Sequence, residues 1–555
     1  MTSQSAPSPA TATGGLQIYD TTLRDGAQGE GMALSVADKL AIARHLDDLG
    51  VGFIEGGWPG ALPKDTEFFR RARDELRLRN AVLVAFGATR KPEVRPERDP
   101  QVRALLDAET PAVCLVAKSH VRHVHEALRT TLAENLAMIR DTVEFFRAEG
   151  RRVFLDAEHF FDGYAADAEY AVECVRTAVE AGAEVVVLCD TNGGMLPWRI
   201  ADVVHDVAER TGAPLGIHCH DDTGCAVANT LAAVQAGVRQ VQGVVNGYGE
   251  RCGNANLITV VANLELKMAT PVLPAGRLAE LGRISHAVAE IANQPPRANQ
   301  PYVGLSAFAH KAGLHASAIK VSPDLYQHID PALVGNDMRM LVSEMAGRAS
   351  VELKSRELGF DLSGDRETVS RIVERVKELE ARGFMFEAAD ASFELLLREE
   401  LDDVPARFFD LESWRVIVER RPDGEVVSEA TVKVVAKGER IVATAEGNGP
   451  VNALDRALRQ ALERLYPQLG ELELVDYKVR ILDGSHGTGA VTRVLIETSD
   501  GETEWTTIGV DENVISASWQ ALADAYCYGL LRDLSGVERS AGAVQGAAMD
   551  SPEAR

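Results

Sequence analysis

The sequence predicts an α/β fold: a closed (β/α)8 TIM barrel, then an α-rich subdomain, then a C-terminal α+β domain of duplicated βββα units. From Leu16 onward, eight short apolar runs alternate with segments of helical periodicity. Polar residues follow the end of nearly every run, as on the C-terminal face of such barrels. A doubly wound open sheet is the alternative. The predicted strands are residues 16–19, 51–56, 81–86, 112–117, 153–156, 185–189, 215–219 and 240–245.

The segments between these runs carry helix start and stop signals. Ser35 is followed three residues later by a carboxylate, which is a capping-box pattern, and Gly50 stands where that helix should end. Segments 132–148, 165–181 and 226–236 also meet a glycine just past their ends. Repeated βα units explain this regularity, because each helix returns the chain to the start of the next parallel strand.

After the eighth run the pattern changes twice. Residues 271–300 contain four prolines and indicate a linker, whereas 339–358 and 366–383 have helical periodicity. From about residue 409, three alternating strands precede a helix, and this order then repeats. The predicted boundaries are 1–15 for a disordered N-terminus, 16–290 for the barrel, 291–405 for the linker and α-rich subdomain, 406–533 for the C-terminal domain and 534–555 for a disordered tail.

Composition and charge exclude several function classes. The net charge of −25 disfavours nonspecific contact with nucleic acid or with an anionic membrane surface. None of the seven cysteines forms a Cys-x-x-Cys pair, so we expect reduced thiols and a cytoplasmic location. Residues 1–15 lack the basic start and apolar centre of a signal peptide, and no apolar run is long enough to cross a bilayer. We therefore expect a soluble protein that binds neither nucleic acid nor membrane.

Two predicted strand ends carry residue types that bind divalent cations. The first run is followed by Arg24, Asp25 and a glycine turn, and the seventh ends in His218 and His220. Histidines at i and i+2 of a strand point to the same side. If the two strand ends meet, one carboxylate and two imidazoles form a facial set that leaves open positions on a metal ion. The alternative for each residue alone is a solvated loop charge.

Four motifs in order support a family resemblance. They are Asp20-Thr-Thr-Leu-Arg-Asp-Gly26, His218-x-His220 with Asp222-x-Gly224, Asn246-Gly-Tyr-Gly-Glu-Arg-Cys-Gly-Asn254, and Phe308-Ala-His-Lys-Ala-Gly-Leu-His315. Together they resemble the homocitrate, 2-isopropylmalate and citramalate synthases, which are metal-dependent TIM-barrel enzymes that catalyse Claisen condensations. The run Gly447-Asn-Gly-Pro-Val-Asn452 is similar to the C-terminal regulatory domain of that family.

Within this family, residues 52–60, 63–69 and 326–335 are most similar to citramalate synthases. The resemblance implies an acyltransferase that condenses acetyl-CoA with pyruvate and hydrolyses the product to (R)-citramalate and CoA, feeding isoleucine biosynthesis. It implies a divalent metal ion (Mg, Mn or Zn), with acetyl-CoA as co-substrate and a 2-oxo acid as acceptor. It also implies that Asp25, His218 and His220 ligate the metal and that Asn254 is a fourth contact.

The resemblance also assigns substrate contacts on the barrel. Arg24 offers a permanently charged donor fork, suited to an oxygen that gains charge as the new bond forms. An ion pair with Glu158 at the end of the fifth strand is the alternative role for Arg24, and both roles are compatible. Thr191 is the candidate hydroxyl for the substrate carboxylate, and Gln28 is a second candidate.

Removal of a proton from the acetyl methyl group requires a base, and histidine has a suitable pKa. His315 matches the position to which the family assigns this role, with Tyr326 acting through a water. In relatives these residues reach the active site of the neighbouring subunit, so the resemblance implies a homodimer. His310 competes with His315, and Glu158 or a bound water are further alternatives for the base.

The C-terminal domain resembles the one through which these synthases respond to their end product. The resemblance implies that a branched amino acid, isoleucine or leucine, binds at its dimer interface and shifts the barrel to a less active state. Gly447, Gly449 and the 484–489 loop are candidate contacts, although glycine turns are usually only turns.

Three other functions remain open at this point. A sister synthase would accept 2-oxoisovalerate or 2-oxoglutarate, because the size of the pocket cannot be deduced from the sequence. An HMG-CoA-lyase-like aldolase would share the Arg-Asp-Gly and His-x-His elements, but the His315 segment and the duplicated module argue against it. A non-enzymatic metabolite sensor would show gaps among the polar residues at the strand ends, and none is evident.

Overall fold

A computed structural model describes residues 15–343, 345–401, 407–482, 487 and 489–547, with side chains as far as Arg532. The packing divides the chain into two compact units. The first contains the chain up to Phe308 together with Ile329–Asp337, and the second contains Ala309–His328 and the chain from Met338 onward. The predicted disordered N-terminus lies outside the described residues, except for Gly15. The domain boundaries drawn from the sequence stay predictions.

Eight parallel strands close into a barrel in the first unit. Each strand pairs with the next, and the eighth pairs with the first through four residue pairs from Gln17↔Gln240 to Asp20↔Gly243. The predicted (β/α)8 barrel is therefore confirmed, and the open-sheet alternative is excluded. The strands are β1 Gln17–Asp20, β2 Phe53–Glu55, β3 Val82–Ala88, β4 Ala112–Lys118, β5 Arg152–Glu158, β6 Val185–Asp190, β7 Leu215–Cys219 and β8 Gln240–Gly243.

Local signals bound the first helix of this unit, whereas the predicted segment 165–181 is divided at Asp167, whose side chain caps the second of two helices. At the first helix, the Ser35 and Asp38 side chains form both hydrogen bonds of a capping box, and Gly50 ends the helix with a left-handed φ of 96°. The helices are α1 Val36–Leu49, α2 Pro63–Glu75, α3 Pro100–Asp107, α4 Val121–Glu126, α5 Leu132–Ala148, α6 Phe160–Ala166, α7 Ala168–Glu180, α8 Pro197–Thr211, α9 Ala226–Gln235, α10 Leu257–Leu266 and α11 Leu281–Ile291.

Aromatic side chains fill the interior of the barrel. The rings of Tyr19, Phe53 and Phe154 lie with centroids 5.0–5.8 Å apart, in edge-to-face and stacked contacts. A separate and larger apolar core lies between the strands and the surrounding helices. Because the interior is packed, polar side chains at the C-terminal ends of the strands line a cavity at that end.

The second unit begins with short elements and helices. The predicted segment 339–358 is helical only from Arg348, because Arg339 and Met340 pair with Ala309 and His310 as a two-residue parallel ladder. The predicted helix at 366–383 is present as Arg366–Ala381. The elements are β9 Ala309–His310, α12 Gly313–Val321, β10 Arg339–Met340, α13 Arg348–Glu357, α14 Arg366–Ala381 and α15 Asp390–Glu400.

Two βββα units complete the chain, as the repeated pattern predicts. Each has three antiparallel strands in sequential order, followed by a helix. The last helix reaches Ala547 and so extends into the range 534–555 that the sequence predicts as a disordered tail. Adding residues to an existing helix avoids the cost of nucleation, and no proline follows the start of this helix until Pro552. The elements are β11 Phe409–Arg420, β12 Val426–Ala436, β13 Glu439–Gly447, α16 Pro450–Leu462, β14 Glu473–Ile481, β15 Thr492–Ser499, β16 Glu504–Asp511 and α17 Val514–Ala547.

Candidate active site and metal centre

The structure brings Asp25, His218 and His220 together. Asp25 lies in the turn after β1, and the histidines lie at the end of β7, with only β8 between these two strands. Asp25 Oδ2 is 3.1 Å from His218 Nε2 and 3.4 Å from His220 Nε2. All three side chains are buried, and one ligand atom from each lies within 4.8 Å of the others. A carboxylate and two imidazoles at this spacing can share one cation.

Asn254 offers a further candidate ligand atom, an amide oxygen, on the segment that pairs with His220. A backbone bridge joins His220 and Asn254, and Asn254 Nδ2 donates to the Tyr248 carbonyl at 3.1 Å. The Oδ1 atom is buried and has no hydrogen-bond partner among the described residues. A buried acceptor without a donor is costly, and a cation would satisfy it. The donor set therefore fits a divalent metal ion, with one carboxylate oxygen, one amide oxygen and two imidazole nitrogens.

Electrostatics favour negative charge on Asp25. Burial alone would raise the pKa of this carboxyl, but the Arg24 guanidinium and hydrogen bonds with His218 and His220 outweigh burial and hold the pKa well below its usual value. Burial would likewise lower the pKa of His218, and Asp25 reverses that effect, so the pKa is raised. The carboxylate form needed by a metal ligand is thus the stable form.

Arg24 pairs with Glu55 and not with Glu158, so the alternative role considered for Arg24, an ion pair with Glu158, is wrong. Arg24 Nε lies 2.5 Å from Glu55 Oε1, and the guanidinium stacks 3.9 Å from the centroid of the Phe86 ring. Glu55 ends β2, which is hydrogen-bonded to β1, whereas Glu158 ends β5 and pairs with Lys118 on the neighbouring β4. Neighbouring strands place their C-terminal residues together, which brings Arg24 next to Glu55 and Lys118 next to Glu158.

A cavity of about 430 Å³ lies at the C-terminal end of the barrel. The predicted substrate contacts Gln28 and Thr191 line it together with Arg24, Glu158, Asp25, His218 and His220. The Thr191 hydroxyl oxygen accepts a hydrogen bond from the His159 backbone N–H at 2.9 Å. Trp58 packs against Phe86 with ring centroids 5.3 Å apart and forms an apolar part of the wall.

The three regions of the chain match three family models. Residues 15–288 match the HMGL-like model, residues 302–383 the homocitrate synthase post-HMGL domain-like model, and residues 387–530 the LeuA allosteric (dimerisation) domain. The chain is 70% identical to an (R)-citramalate synthase of Streptomyces coelicolor, over 93% of this chain and 96% of that protein. It is 50% identical to an (R)-citramalate synthase of Aquifex aeolicus, over 93% and 98%. A probable 2-isopropylmalate synthase of Methanopyrus kandleri is 33% identical over 91% and 96%.

The chain belongs to the citramalate synthase family. Identity at this level extends over both units, so the assignment does not depend on the barrel alone. Residues 387–530 match the LeuA allosteric (dimerisation) domain, so the family match extends beyond the barrel. In the described part of the chain, no helix combines the length and apolar composition needed to cross a bilayer.

His315 and Tyr326 lie in the second unit. Their rings stack with centroids 4.2 Å apart, and the His310 ring lies 6.4 Å from His315. Burial, aided by His315, lowers the pKa of His310. His315 lies in the first turn of α12, which starts two residues before it. The structure places the rings of His315 and Tyr326 in contact, and the catalytic role of the two residues stays a prediction.

Sequence reasoning missed Arg251. Its Nη2 lies 2.7 Å from His220 Nδ1 and 2.8 Å from the Thr191 carbonyl oxygen, and its Nε donates to Asp222 at 2.8 Å. Arg251 lies in the motif Asn246–Asn254, in which only Asn254 was predicted as a site residue. Its place could not be deduced from spacing, because the loop folds back over the end of β7.

Sequence reasoning also missed a buried network beneath the triad. Glu55, Cys114 and Asp156 come within 4.8 Å of one another inside the barrel. Burial raises the pKa of each of these three groups. Glu55 accepts hydrogen bonds from Tyr19 at 2.7 Å and from Arg24, and Asp156 accepts from Cys114 at 3.2 Å. Satisfied acceptors and a protonated thiol indicate a hydrogen-bond network, not a second metal site.

The candidate effector glycines are only partly described. Gly447 ends β13, and Gly449 caps the start of α16 with extended backbone. A Cβ at Gly447 would lie 2.5 Å from the Ala453 backbone nitrogen, so close packing of the helix explains this glycine. Residues 484–486 and 488 of the predicted 484–489 loop lie outside the described residues.

Proposed function

We propose that the barrel condenses the acetyl group of acetyl-CoA with pyruvate at a divalent cation held by Asp25, His218, His220 and Asn254, and that water then cleaves the thioester to give (R)-citramalate and free CoA. The chain is an enzyme of the condensing acyltransferase class, as its family membership requires. The convergence of Asp25 with both histidines carries the proposal, and the buried Asn254 oxygen, which has no donor among the described residues, supports it. When bound, the cation would supply Lewis-acid chemistry at the ketone of the 2-oxo acid.

Arg24 stabilises the oxygen that gains negative charge during bond formation. Glu55 and the face of Phe86 hold the guanidinium on two sides, so its remaining N–H groups have a fixed direction. A donor that is oriented before the reaction costs no reorganisation in the transition state. Loss of such a donor typically lowers turnover by about 10²–10³.

Thr191 binds the substrate carboxylate through its hydroxyl. Its oxygen already accepts the His159 N–H, and no acceptor among the described residues takes its own proton. The O–H is therefore available to donate to an anion in the cavity. Gln28 is a second donor at the same wall, and Glu158, fixed by Lys118, supplies a carboxylate beside the reacting groups.

His315, with Tyr326, removes the proton from the acetyl methyl group in the active site of the partner subunit. The stacked pair and the LeuA dimerisation domain support this assignment.

Isoleucine, or else leucine, binds the C-terminal domain and lowers activity. The enzyme works in the cytoplasm and catalyses the entry step of isoleucine biosynthesis. Mg²⁺, Mn²⁺ and Zn²⁺ all fit a site with mixed oxygen and nitrogen ligands.

The test is release of CoA thiol from acetyl-CoA in the presence of pyruvate, 2-oxobutyrate, 2-oxoisovalerate or 2-oxoglutarate, with and without a chelator. We expect pyruvate to give the highest kcat/KM, chiral analysis to identify (R)-citramalate, and the chelator to abolish release. Preference for 2-oxoisovalerate would instead assign a 2-isopropylmalate synthase. Release that persists after complete removal of metal would overturn the proposed site.

A further inference from the structure

A glutamine in β8 connects the candidate metal site to the buried network beneath it. Gln242 Oε1 lies 2.9 Å from His218 Nδ1, and Gln242 Nε2 donates to Asp156 Oδ1 at 2.8 Å. Gln242 is fully buried and Asp156 nearly so. Because the Gln242 amide is buried and hydrogen-bonded through both its oxygen and its nitrogen, only one of its two flipped orientations satisfies both bonds. That orientation determines which atom of the amide faces His218.

The direction of the hydrogen bonds follows from Asp156. Its Oδ1 also accepts the Cys114 thiol, so this oxygen receives two donors and is not the one that carries a proton. The NH₂ group of Gln242 must therefore face Asp156, and its carbonyl oxygen must face His218. A carbonyl oxygen can only accept, so the Nδ1 atom of His218 must carry a hydrogen.

We propose that Gln242, oriented by Asp156, is a positioning residue that fixes the His218 proton on Nδ1 and keeps Nε2 as the nitrogen that binds the cation. The inference rests on the proposed metal site. His218 Nε2 is the atom that faces Asp25, so the selected nitrogen is the one at the centre of the triad. Partners of this kind orient a ligand and typically contribute about 10–100-fold to metal affinity.

The chain offers a matched control two residues away. Gln240 is also fully buried on β8, and an i, i+2 relation puts both side chains on the same face of the strand. Gln240 Nε2 donates to Gln17 Oε1 at 3.0 Å, away from His218. Gln242→Met and Gln240→Met thus remove the same amide from the same strand, and only the first removes a contact with the candidate metal site.

Exchanging the amide and the carboxylate between positions 242 and 156 conserves the net charge. It distinguishes the effect of hydrogen-bond direction on metal binding from the effect of a general loss of packing. In Gln242→Glu the new carboxylate faces Asp156, and two acceptors oppose each other. In the double variant Gln242→Glu/Asp156→Asn, the amide and the carboxylate change places. The carboxylate introduced at position 242 then accepts from His218 Nδ1–H and from the amide introduced at position 156, so the original direction returns with the same net charge.

The experiment measures Mn²⁺ affinity of the full-length apoprotein by competition with a chromophoric chelator, together with thermal unfolding in EDTA. We expect Gln242→Met and Gln242→Glu to weaken Mn²⁺ binding by about 10–100-fold, whereas Gln240→Met and the double variant stay close to wild type. Equal affinity of Gln242→Met and wild type, equal losses in both methionine variants, or no recovery in the double variant would overturn the inference alone. A wild-type protein that does not bind Mn²⁺, Mg²⁺ or Zn²⁺ would overturn the proposed metal site and the inference with it.

Discussion

At the scale of single residues, the candidate site depends on the protonation and orientation of a few buried groups. Asp25 is held ionised against burial by Arg24 and by the two histidines. Asn254 presents an oxygen that lacks a donor in the described structure. Each group has a single useful state, and its neighbours enforce that state.

His218→Ala removes one imidazole from the triad. We expect the variant to fold, to lose stoichiometric binding of the divalent cation and to lose CoA release, because two protein ligands and an amide hold a cation poorly. Metal content after gel filtration and thiol release are the measurements. His205→Ala, which changes an exposed histidine on α8, is the matched control and should leave both unchanged. Full activity of His218→Ala would remove His218 from the site.

Asp20 predicts a specific pH dependence of stability. Burial raises its pKa from 3.8 to about 7, against the hydrogen bonds that it accepts from Thr22. The folded protein therefore keeps a proton that the unfolded chain releases, so the associated stability is present at low pH and is lost as pH rises toward the folded pKa. Between about pH 5 and about pH 8, the melting temperature of wild type should fall more than that of Asp20→Asn. Parallel curves for the two proteins would contradict the assignment.

At the scale of elements, the order of strands in the barrel decides which charges meet. Arg24 and Glu55 belong to neighbouring strands, and so do Lys118 and Glu158. Motif spacing gives no information on such lateral pairs, since hydrogen-bonded neighbours are fixed only when the barrel closes. The alternative that joined Arg24 to Glu158 was wrong for this reason.

Glu55→Gln tests the support of Arg24 by β2. The amide preserves the shape of the side chain but removes the charge that fixes the guanidinium, so we expect kcat to fall by about 10–100-fold with a smaller change in melting temperature. Steady-state kinetics with acetyl-CoA and pyruvate give the answer. The control is Glu184→Gln, which breaks a comparable ion pair between Glu184, just before β6, and Arg152, at the start of β5. This variant should leave kcat unchanged. Equal kcat values in the two variants would argue against the role of Glu55.

At the scale of the whole molecule, the proposed reaction requires residues from two subunits. His218 belongs to the first unit, and His315 and Tyr326 belong to the second. If His315 serves the partner's barrel, a dimer with one His218→Ala subunit and one His315→Ala subunit contains one complete site.

Mixing these two inactive variants after partial unfolding and joint refolding should restore CoA release. With random pairing, half the dimers are mixed and each has one complete site, so we expect about a quarter of wild-type activity. Each variant refolded alone is the control and should stay inactive. A mixture without activity, although mass analysis detects mixed dimers, would place His315 in its own subunit's site or outside the reaction.

We expect the activity of the enzyme to respond to an amino acid that binds the C-terminal domain. Isoleucine that binds this domain should lower activity and raise the melting temperature, because a ligand stabilises the state it binds. Leucine and valine at equal concentration serve as comparisons. The same titration on Gly449→Ala tests whether this glycine matters for binding, because an added Cβ would have no atom within 4 Å among the described residues. No response in activity or melting temperature to isoleucine would exclude it as the effector, and a response to leucine alone would assign leucine.

The sequence by itself determined the fold class, the order of the elements and the motifs of the candidate site. Alternating apolar runs and helix caps are local features, so they specify βα units and βββα units without knowledge of the contacts between them. The polar residues at the strand ends could also be identified from the sequence, because the C-terminal ends of the strands of a parallel barrel lie on one face. Asp25, His218 and His220 could therefore be grouped although they are far apart in the chain.

Only the tertiary structure decided the lateral contacts. The partners of Arg24 and Glu158, the position of Arg251 over His220, and the Gln242–Asp156 link all join different strands or loops. Inside the barrel, an inward-facing glutamine or aspartate has the same sequence pattern as any polar residue in a strand. Its function depends on the side chain that faces it across the barrel, and that neighbour is set by strand order and register when the barrel closes.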